Sequence, residues 1–399
     1  MKMKKILWLS SSYPRFEADT ASIFLRYLAV ALQKKQFEIH VLSPDNICVD
    51  PQFQTGIVQS HRYMYFWPRK LQKLAYGSGI LPNLRNQPWL FVQIPFFMLA
   101  MFVSAWRLIQ RLKPDVIHAH WVFPQGVLAS LLGKLTGVPV IITAHGGDVF
   151  ALQGRVLGYL KRWGIQHCRA WTCNTLATAK AVGHYLPTPE IIPMGVDYAL
   201  FSSGQPISRS VTGKIILFVG RLVEKKGVHC LITAFSLLPK AELETAKLWI
   251  IGDGLERKRL EDLVVALGLT ENVVFYGRLA NTVLPQYYAA ADIFVAPSMP
   301  DASGDTEGQG VMLLEAMACG VAVISTKTGG ITEVLDDGRS ALLVPPNDPV
   351  ALKNAIGKLL EDSELRAFLA KTGQKQAQRY DWEHVALKFA LLYRAVLNA

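Results

Sequence analysis

Acidic residues are absent from a long stretch of this 399-residue chain. Between Pro51 and Pro114 there is no Asp or Glu, yet Arg62, Arg69, Lys70, Lys73, Arg85, Arg107, Arg111 and Lys113 all fall there. Cysteine is scarce too. Cys48, Cys168, Cys173, Cys230 and Cys319 are odd in number, and none are spaced C-x-x-C. No disulfide framework or zinc site is thereby implied, and a reducing cytoplasm is expected. Low-complexity tracts are missing, and with 51% hydrophobic and 18% charged residues the chain is too apolar for a disordered polymer. Its length suits about two domains. The first apolar run, Ile6–Leu9, is shorter than the roughly 7–15 residues of a signal peptide and reads as a β-strand. No G-x-G-x-x-G, P-loop, G-x-S-x-G or H-E-x-x-H motif occurs.

What is present is an excess of positive charge, formally +11. Residues 1–200 hold 21 Lys+Arg against 9 Asp+Glu, and residues 201–399 hold 21 against 22, so the excess lies in the first half. In the acid-free stretch, twelve residues are aromatic, among them Tyr63, Phe66, Trp67, Trp89, Phe91 and Trp106. Basic residues mixed with aromatic and aliphatic ones fit an anionic membrane surface better than nucleic acid, for which no recognition motif is present. A basic face over a buried helix is the alternative. Within the stretch, Trp89–Trp106 departs from the apolar set only at Gln93, Pro95 and Ser104. It nearly reaches the about 20 residues of a spanning helix, and an interfacial or core-packed helix is the stronger expectation.

Strands and helices alternate along the chain. Strands are expected at Lys5–Ser10, Phe37–Leu42, Val116–Ala119, Val138–Thr143 and Ala170–Cys173, with a first helix over about Ala21–Lys34. Phe201–Gly213, rich in Ser, Gly and Pro, reads as a linker. The rhythm then restarts with strands at Lys214–Val219, Lys247–Ile251, Val273–Tyr276, Asp292–Ala296 and Val321–Ser325. Helices are expected over about Val228–Leu238 and Leu255–Leu267, and an amphipathic helix, Trp382–Leu397, closes the chain. This is an α/β pattern of two doubly wound parallel sheets, expected to face a cleft, with ligands outside the carboxyl ends of the strands.

Four clusters fall where strands end. Gly220 and Gly227 bracket a loop carrying Arg221 and Lys226, a planar fork and a point charge that together suit a diphosphate. Glu307-Gly308-Gln309-Gly310-Val311-Met312 leads into a helix that carries Glu315. A helix start offers free N–H groups and a positive dipole end to an anion. Glu315 lies about five residues in, or about 7 Å along at about 1.5 Å per residue. Carboxylate, anion site, carboxylate matches a ligand with hydroxyls at both ends and phosphates between, the layout of a nucleotide sugar. Third, Thr143-Ala-His145-Gly146-Gly147-Asp148 sets an imidazole on a flexible turn expected to face the cleft. His118 and His120 lack the partners of a metal site and read as strand-end packing and hydrogen bonding. Fourth, Ser10–Thr20 is a small-residue loop that could touch an acceptor, with Asp19 or Thr20 as the cap of the following helix.

These residues resemble glycosyltransferase family 4, retaining enzymes of the GT-B fold. The resemblance covers essentially the whole chain. It is most specific from Pro297-Ser298 through Glu307-x7-Glu315 to Thr328-Gly-Gly330 and Leu343-Val-Pro345. Gly252-Asp253-Gly254 and Tyr380-Asp381-Trp382 agree with it. It implies an acceptor-side Rossmann-like domain at 1–197, a donor-binding one at 198–378, and a C-terminal helix, 379–399, crossing back to the first domain. Arg221 and Lys226 would hold the donor diphosphate beside Gly220 and Gly252. Gly308, Gln309, Gly310, Val311 and Met312 would present backbone amides to it. Glu307 would contact the donor sugar, Glu315 the ribose, and Arg278 and Leu279 would border the base. His145 would sit by the reacting sugar. No cofactor or metal is implied, since Arg, Lys and a helix dipole stabilise the leaving group. The loop Met299–Thr306, with Asp301 and Asp305, looks like the version in exopolysaccharide and colanic-acid type enzymes. Ala18 and Ser22 depart from the commoner glycine-rich first loop.

The leading expectation is therefore transfer of a hexose-type sugar from a nucleoside diphosphate sugar, a UDP-sugar over a GDP-sugar, to an acceptor hydroxyl with retention. The acceptor would be a lipid-linked or envelope glycan at the inner face of the cell membrane. A soluble transferase making a small glycoside and a non-catalytic GT-B partner that only binds sugar or membrane remain as alternatives.

Overall fold

The computed structural model describes residues 3–17, 19–50, 53, 58–77, 79–150, 154–183, 187–208, 213–302 and 304–398. Ala18 and part of the expected linker, 209–212, lie outside them. The chain divides into two compact units, Met1–Pro193 with Trp382–Ala399, and Met194–Asp381.

The first unit is built on strands β1 Lys4–Leu9, β2 Phe37–Pro44, β3 Gln59–Tyr63, β4 Val116–His120, β5 Val140–Ala144, β6 Ala170–Cys173 and β7 Glu190–Ile191. All pair in parallel, in the order β3-β2-β1-β4-β5-β6-β7. Ile6, Leu7, Trp8 and Leu9 are all buried, as expected of a strand covered on both faces. Alternation along β1 shows what covers each face. Leu7 and Leu9 share a core with Phe97 and Met101 of helix Gln93–Leu112. Trp8 points the other way and donates its indole N–H to Tyr393 Oη at 3.1 Å. Tyr393 belongs to helix Trp382–Asn398, which packs on helix Ile23–Gln33 and is tied to it by ion pairs from Lys34 and Lys35 to Glu383 at 2.6 and 3.2 Å. Helices Gln93–Leu112, Val127–Thr136 and Arg155–Gln166 form the opposite layer, as right-handed crossovers from β3 to β4, β4 to β5 and β5 to β6 require.

The second unit contains β8 Lys214–Val219, β9 Ala246–Ile251, β10 Val273–Gly277, β11 Ile293–Ala296, β12 Ala322–Thr326 and β13 Leu342–Val344, parallel, in the order β10-β9-β8-β11-β12-β13. The order reverses between β8 and β11. Such a reversal is where α/β sheets bind ligands, outside the carboxyl ends of the strands.

Several expectations change. β3, β7 and β13 are additional strands. β3 reads QSHRY, an edge strand with no apolar alternation, and β7 and β13 span two and three residues. The first helix starts at Ile23, not Ala21, and neither Asp19 nor Thr20 caps it. Ser22 holds that place in a left-handed conformation, and Asp19 instead binds Arg15 at 2.6 Å. Trp89–Trp106 is not one helix. A 3-10 turn, Pro88–Val92, leads into helix Gln93–Leu112, with Pro95 in its first turn, where a missing N–H costs little. By length and composition Pro88–Leu112 could cross a membrane. Its inner side is nonetheless core: Phe97, Met101, Ala105 and Leu108 are buried, and Gln93 Nε2 donates to Leu71 O at 2.7 Å. The expected linker begins inside a helix, Tyr198–Ser202, whose Phe201 is buried.

Candidate active site

In the second unit, the loop after β8 is held by main-chain bonds. Gly220 N donates to Ile251 O at 2.9 Å and Leu222 N to Asp253 O at 3.0 Å. A side chain at Gly252 would put its Cβ 1.8 Å from Gly220 O, so the end of β9 can lie this close only with glycine there. The loop ends in a 3-10 turn, Glu224–Lys226, and Gly227 at φ 63° starts helix Val228–Ser236. A Cβ on Gly227 would lie 2.0 Å from Pro297 O, so the loops after β8 and β11 meet backbone to backbone.

Two adjacent lysines then reach into the loop after β11. Lys225 Nζ donates to both carboxylate oxygens of Asp305 at 3.0 and 2.9 Å and to Thr306 O at 3.2 Å. Lys226 Nζ contacts Glu307 and lies 3.7 Å from Met312 Sδ. From the other side, Gly330 N donates to Glu307 O at 3.1 Å, and Thr328 Oγ1 meets Thr306 Oγ1 at 3.0 Å. The Thr328-Gly-Gly330 sequence thus supports the Glu307 turn. Gly310 at φ 81° opens helix Val311–Ala318, and no side chain caps that start. Its N-terminal amides and dipole face the turn that Lys226 borders, an anion-binding arrangement.

The titrating groups are shifted from their ordinary values. Burial alone would raise the Glu307 carboxyl, but Lys226, Lys225 and Arg221 outweigh it and hold Glu307 below the ordinary carboxylate range. Burial lowers the Lys226 ammonium, with Glu307 opposing. Burial pushes Glu315 up to about 7, opposed by the Tyr288 hydroxyl, which donates to its Oε2 at 2.9 Å, and by Lys226. One end of the arrangement is therefore a fixed anion, and the other carries a carboxyl that titrates near neutrality.

Lys226, Glu307, Met312 and Glu315 come together as the sequence pattern anticipates. Arg221 and Arg278 are exposed, and Leu279 is half-buried against the core of this unit. The Gln309 side chain is engaged elsewhere. It accepts from Met194 N at 2.6 Å and donates to Met194 O at 3.0 Å, clamping the start of the unit to the glycine turn. Tyr288 and Lys225 were missed. The signal for Lys225 was present, since a second lysine beside Lys226 and the extra aspartate of the 299–306 loop are complementary. Nothing in the sequence links Tyr288 to Glu315.

His145 lies in the first unit, and its turn is not loose. Asp148 is buried and accepts from Val122 N and from His145 N, the latter at 3.2 Å. The imidazole Nε2 meets His120 Nδ1 at 3.1 Å, and the ring lies 5.2 Å from Trp121 and 5.1 Å from Phe24. Burial pushes His145 down to about 3, so it is neutral at pH 7. His118 bonds Tyr393 Oη at 2.6 Å and Thr143 Oγ1 at 2.7 Å, the packing and hydrogen-bonding role expected of it.

Residues 21–200 match the family model for Glycosyltransferase Family 4, and residues 205–376 match that for Glycosyl transferases group 1. The chain is 29% identical over 337 residues to the D-inositol 3-phosphate glycosyltransferase of Acidothermus cellulolyticus, covering 76% of this chain and 73% of that one. Sucrose-phosphate synthase from Thermosynechococcus elongatus has a similar structure, with a TM-score of 0.79 at 23% identity over 99% of both chains. Anabaena HepE, solved in complex with UDP, gives 0.74 at 20% identity over 98% of this chain and all of that one. Two parallel-sheet α/β units carrying these two matches identify the chain as a glycosyltransferase of the GT-B fold belonging to family 4.

Proposed function

We propose that this enzyme moves a hexose-type sugar from a nucleoside diphosphate sugar, a UDP-sugar, to an acceptor hydroxyl with retention of configuration. The observation that carries the reading is the Glu307–Met312 turn. A glycine-rich helix start with a buried lysine at its mouth and a carboxylate on either side suits hydroxyl, diphosphate and ribose in that order. HepE, of the same fold, has been solved with UDP-glucose.

In this reading Lys226, Arg221 and the 308–312 amides hold the diphosphate, and their charge stabilises the leaving group without a metal. The bond from the anomeric carbon to the diphosphate oxygen breaks as the acceptor oxygen bonds to the same face. The departing diphosphate takes the acceptor proton, so charge and atoms balance with no separate base. Glu307 accepts from donor-sugar hydroxyls. Glu315, when ionised, accepts from the ribose, and Arg278 and Leu279 border the base. His145, neutral at pH 7, offers hydrogen bonds to the sugar rather than charge.

The acceptor is a lipid-linked or envelope glycan of the exopolysaccharide type, met at the cytoplasmic face of the membrane. The basic, acid-free 51–114 stretch supports that location. A small-molecule acceptor is the second reading, favoured by relatives named as D-inositol 3-phosphate glycosyltransferases. The test is a panel of nucleotide sugars assayed by melting shift and by donor hydrolysis. UDP-sugars are expected to stabilise the enzyme and to be slowly hydrolysed. If no nucleotide sugar does either, the reading fails.

A further inference from the structure

The outer side of helix Gln93–Leu112 is as apolar as its inner side. Val92, Phe96, Leu99, Val103 and Trp106 recur at intervals of four, three, four and three, one stripe of a helix. Phe96 is 50% and Leu99 61% exposed. The neighbouring helix Val127–Thr136 continues the surface with Leu131 and Leu135. Between the two helices runs a shallow groove of about 270 Å³, lined by Phe102, Val103, Trp106, Arg107 and Leu135. At the other end the Phe66 ring packs 5.7 Å from that of Phe96, beside Trp67, which is 80% exposed. A contiguous apolar surface of this kind marks an interaction site.

Charge identifies the partner. Between residues 51 and 189 the chain has only two carboxylates, Asp115 and Asp148. Asp115 is tied to Lys4 Nζ at 2.9 Å and to Lys5 N at 2.8 Å, and Asp148 is buried beneath the His145 turn. Helices Gln93–Leu112, Val127–Thr136 and Arg155–Gln166 contain no acid at all. The same stretch has fourteen Lys and Arg, of which Lys73, Arg107, Arg111, Lys134, Arg155 and Arg162 are exposed. A protein partner would need an acidic rim to match these cations, whereas an anionic bilayer supplies both the apolar phase and the negative charge. An apolar stripe on a three-helix layer whose only charged side chains are cationic complements acyl chains beneath anionic headgroups.

We propose that the outer face of helices Gln93–Leu112 and Val127–Thr136 docks on an anionic lipid bilayer, lying in its interface without spanning it. Spanning would pull Phe97, Met101, Ala105 and Leu108 out of the core, whereas docking uses only side chains already outside. The proposal extends the membrane part of the function above. The donor chemistry stands or falls separately.

The experiment is flotation of the full chain with phosphatidylcholine vesicles, with and without about one-third phosphatidylglycerol. Binding is expected only with the anionic lipid, weakening as salt rises. Phe96→Ser/Leu99→Ser is expected to cut the bound fraction about tenfold or more. Arg107→Glu/Arg111→Glu should do the same and weaken the salt dependence. Leu387→Ser/Leu391→Ser, at exposed apolar positions on the opposite layer, should float like wild type. UDP-induced melting shifts, unchanged in all three variants, show that the chain is folded and that the donor reading is tested separately. The proposal is overturned if wild type does not float, if both the apolar and the charge variant float like wild type, or if zwitterionic vesicles serve equally. It is also overturned if light scattering finds a wild-type dimer that Phe96→Ser/Leu99→Ser dissociates, since the face then joins two copies.

Discussion

Lys226 and Glu307 form a pair whose side chains are only 10% and 16% exposed. Removing one partner leaves the other charged and desolvated, at a cost of about 3–5 kcal/mol. Lys226→Met should therefore destabilise the chain by about 3 kcal/mol, less whatever Glu307 recovers by taking up a proton once its main cation is gone. Glu307→Gln should cost a similar amount, because it leaves the Lys226 ammonium buried without its carboxylate. The double variant removes both charges and should recover most of the loss, a coupling of about 2 kcal/mol in urea melts. Both substitutions should slow transfer, but only one should strengthen UDP binding. Lys226→Met should cut turnover at saturating donor more than about tenfold, or about 1.4 kcal/mol of lost transition-state stabilisation. Glu307→Gln should also slow transfer, but by freeing Lys226 from its carboxylate it should tighten UDP binding several-fold, read by calorimetry. Additive stability effects, with coupling below about 0.5 kcal/mol, would refute the pair. Unchanged turnover in Lys226→Met would refute its role on the leaving group.

Glu315, raised to about 7 by burial against an unfolded value near 4.5, favours the folded state most below about pH 4.5 and loses that contribution as pH rises through 7. Glu315→Gln should therefore flatten the fall in stability from pH 5 to 8, worth at most about 3 kcal/mol, and also abolish the gain in UDP affinity expected over that range as the carboxylate forms. His118 and His145 are pushed down to about 3 and His61 to about 4, so their contributions are complete above about 6.5 and are lost as pH falls toward 3. Urea titrations should show stability falling steeply below pH 6, and a flat profile there would contradict the buried neutral imidazoles. Gly227→Ala should destabilise by more than about 2 kcal/mol in melts, because its Cβ would lie 2.0 Å from the Pro297 carbonyl oxygen. Asp305→Asn should raise the donor KM about fivefold with kcat little changed, since Lys225 holds the loop and not the reacting atoms.

Strand and helix order was readable because parallel strands covered on both faces appear as continuous apolar runs, as in β1 and β8. β3 was not, because an edge strand reading QSHRY buries only Tyr63. At the site, Glu307 and Lys226 stood out as charges next to glycines in loops that follow strands, and Glu315 as a carboxylate in the helix that the glycine turn opens. Their mutual contacts did not, because Lys226 and Glu307 are 81 residues apart and meet only once β8 and β11 lie side by side. Asp19 misled for a local reason. An acid before a helix looks like a cap, but Arg15 four residues earlier offered a charged partner at 2.6 Å, stronger than a neutral amide. His145 misled in the same direction. Gly146 and Gly147 suggested mobility, while Asp148 beneath them bonds the turn in place.

The glycines of the donor unit are better understood as contact points than as hinges. Gly252 lets the end of β9 touch Gly220 O, Gly227 lets the β8 loop touch Pro297 O, and Gly329 lets the β12 loop approach Glu307 O, where a Cβ would lie 2.1 Å away. Each contact joins the carboxyl end of one strand to the loop of another, and together they surround Lys226 and the start of helix Val311–Ala318. Charges held this way need little reorganisation when a leaving group develops negative charge, and electrostatic stabilisation depends on such preorganisation. On the proposal that Arg278 borders the base, changing donor preference should depend on that exposed side chain rather than on this interior. Substitutions at the three glycines should instead damage stability and turnover together, whichever sugar is offered.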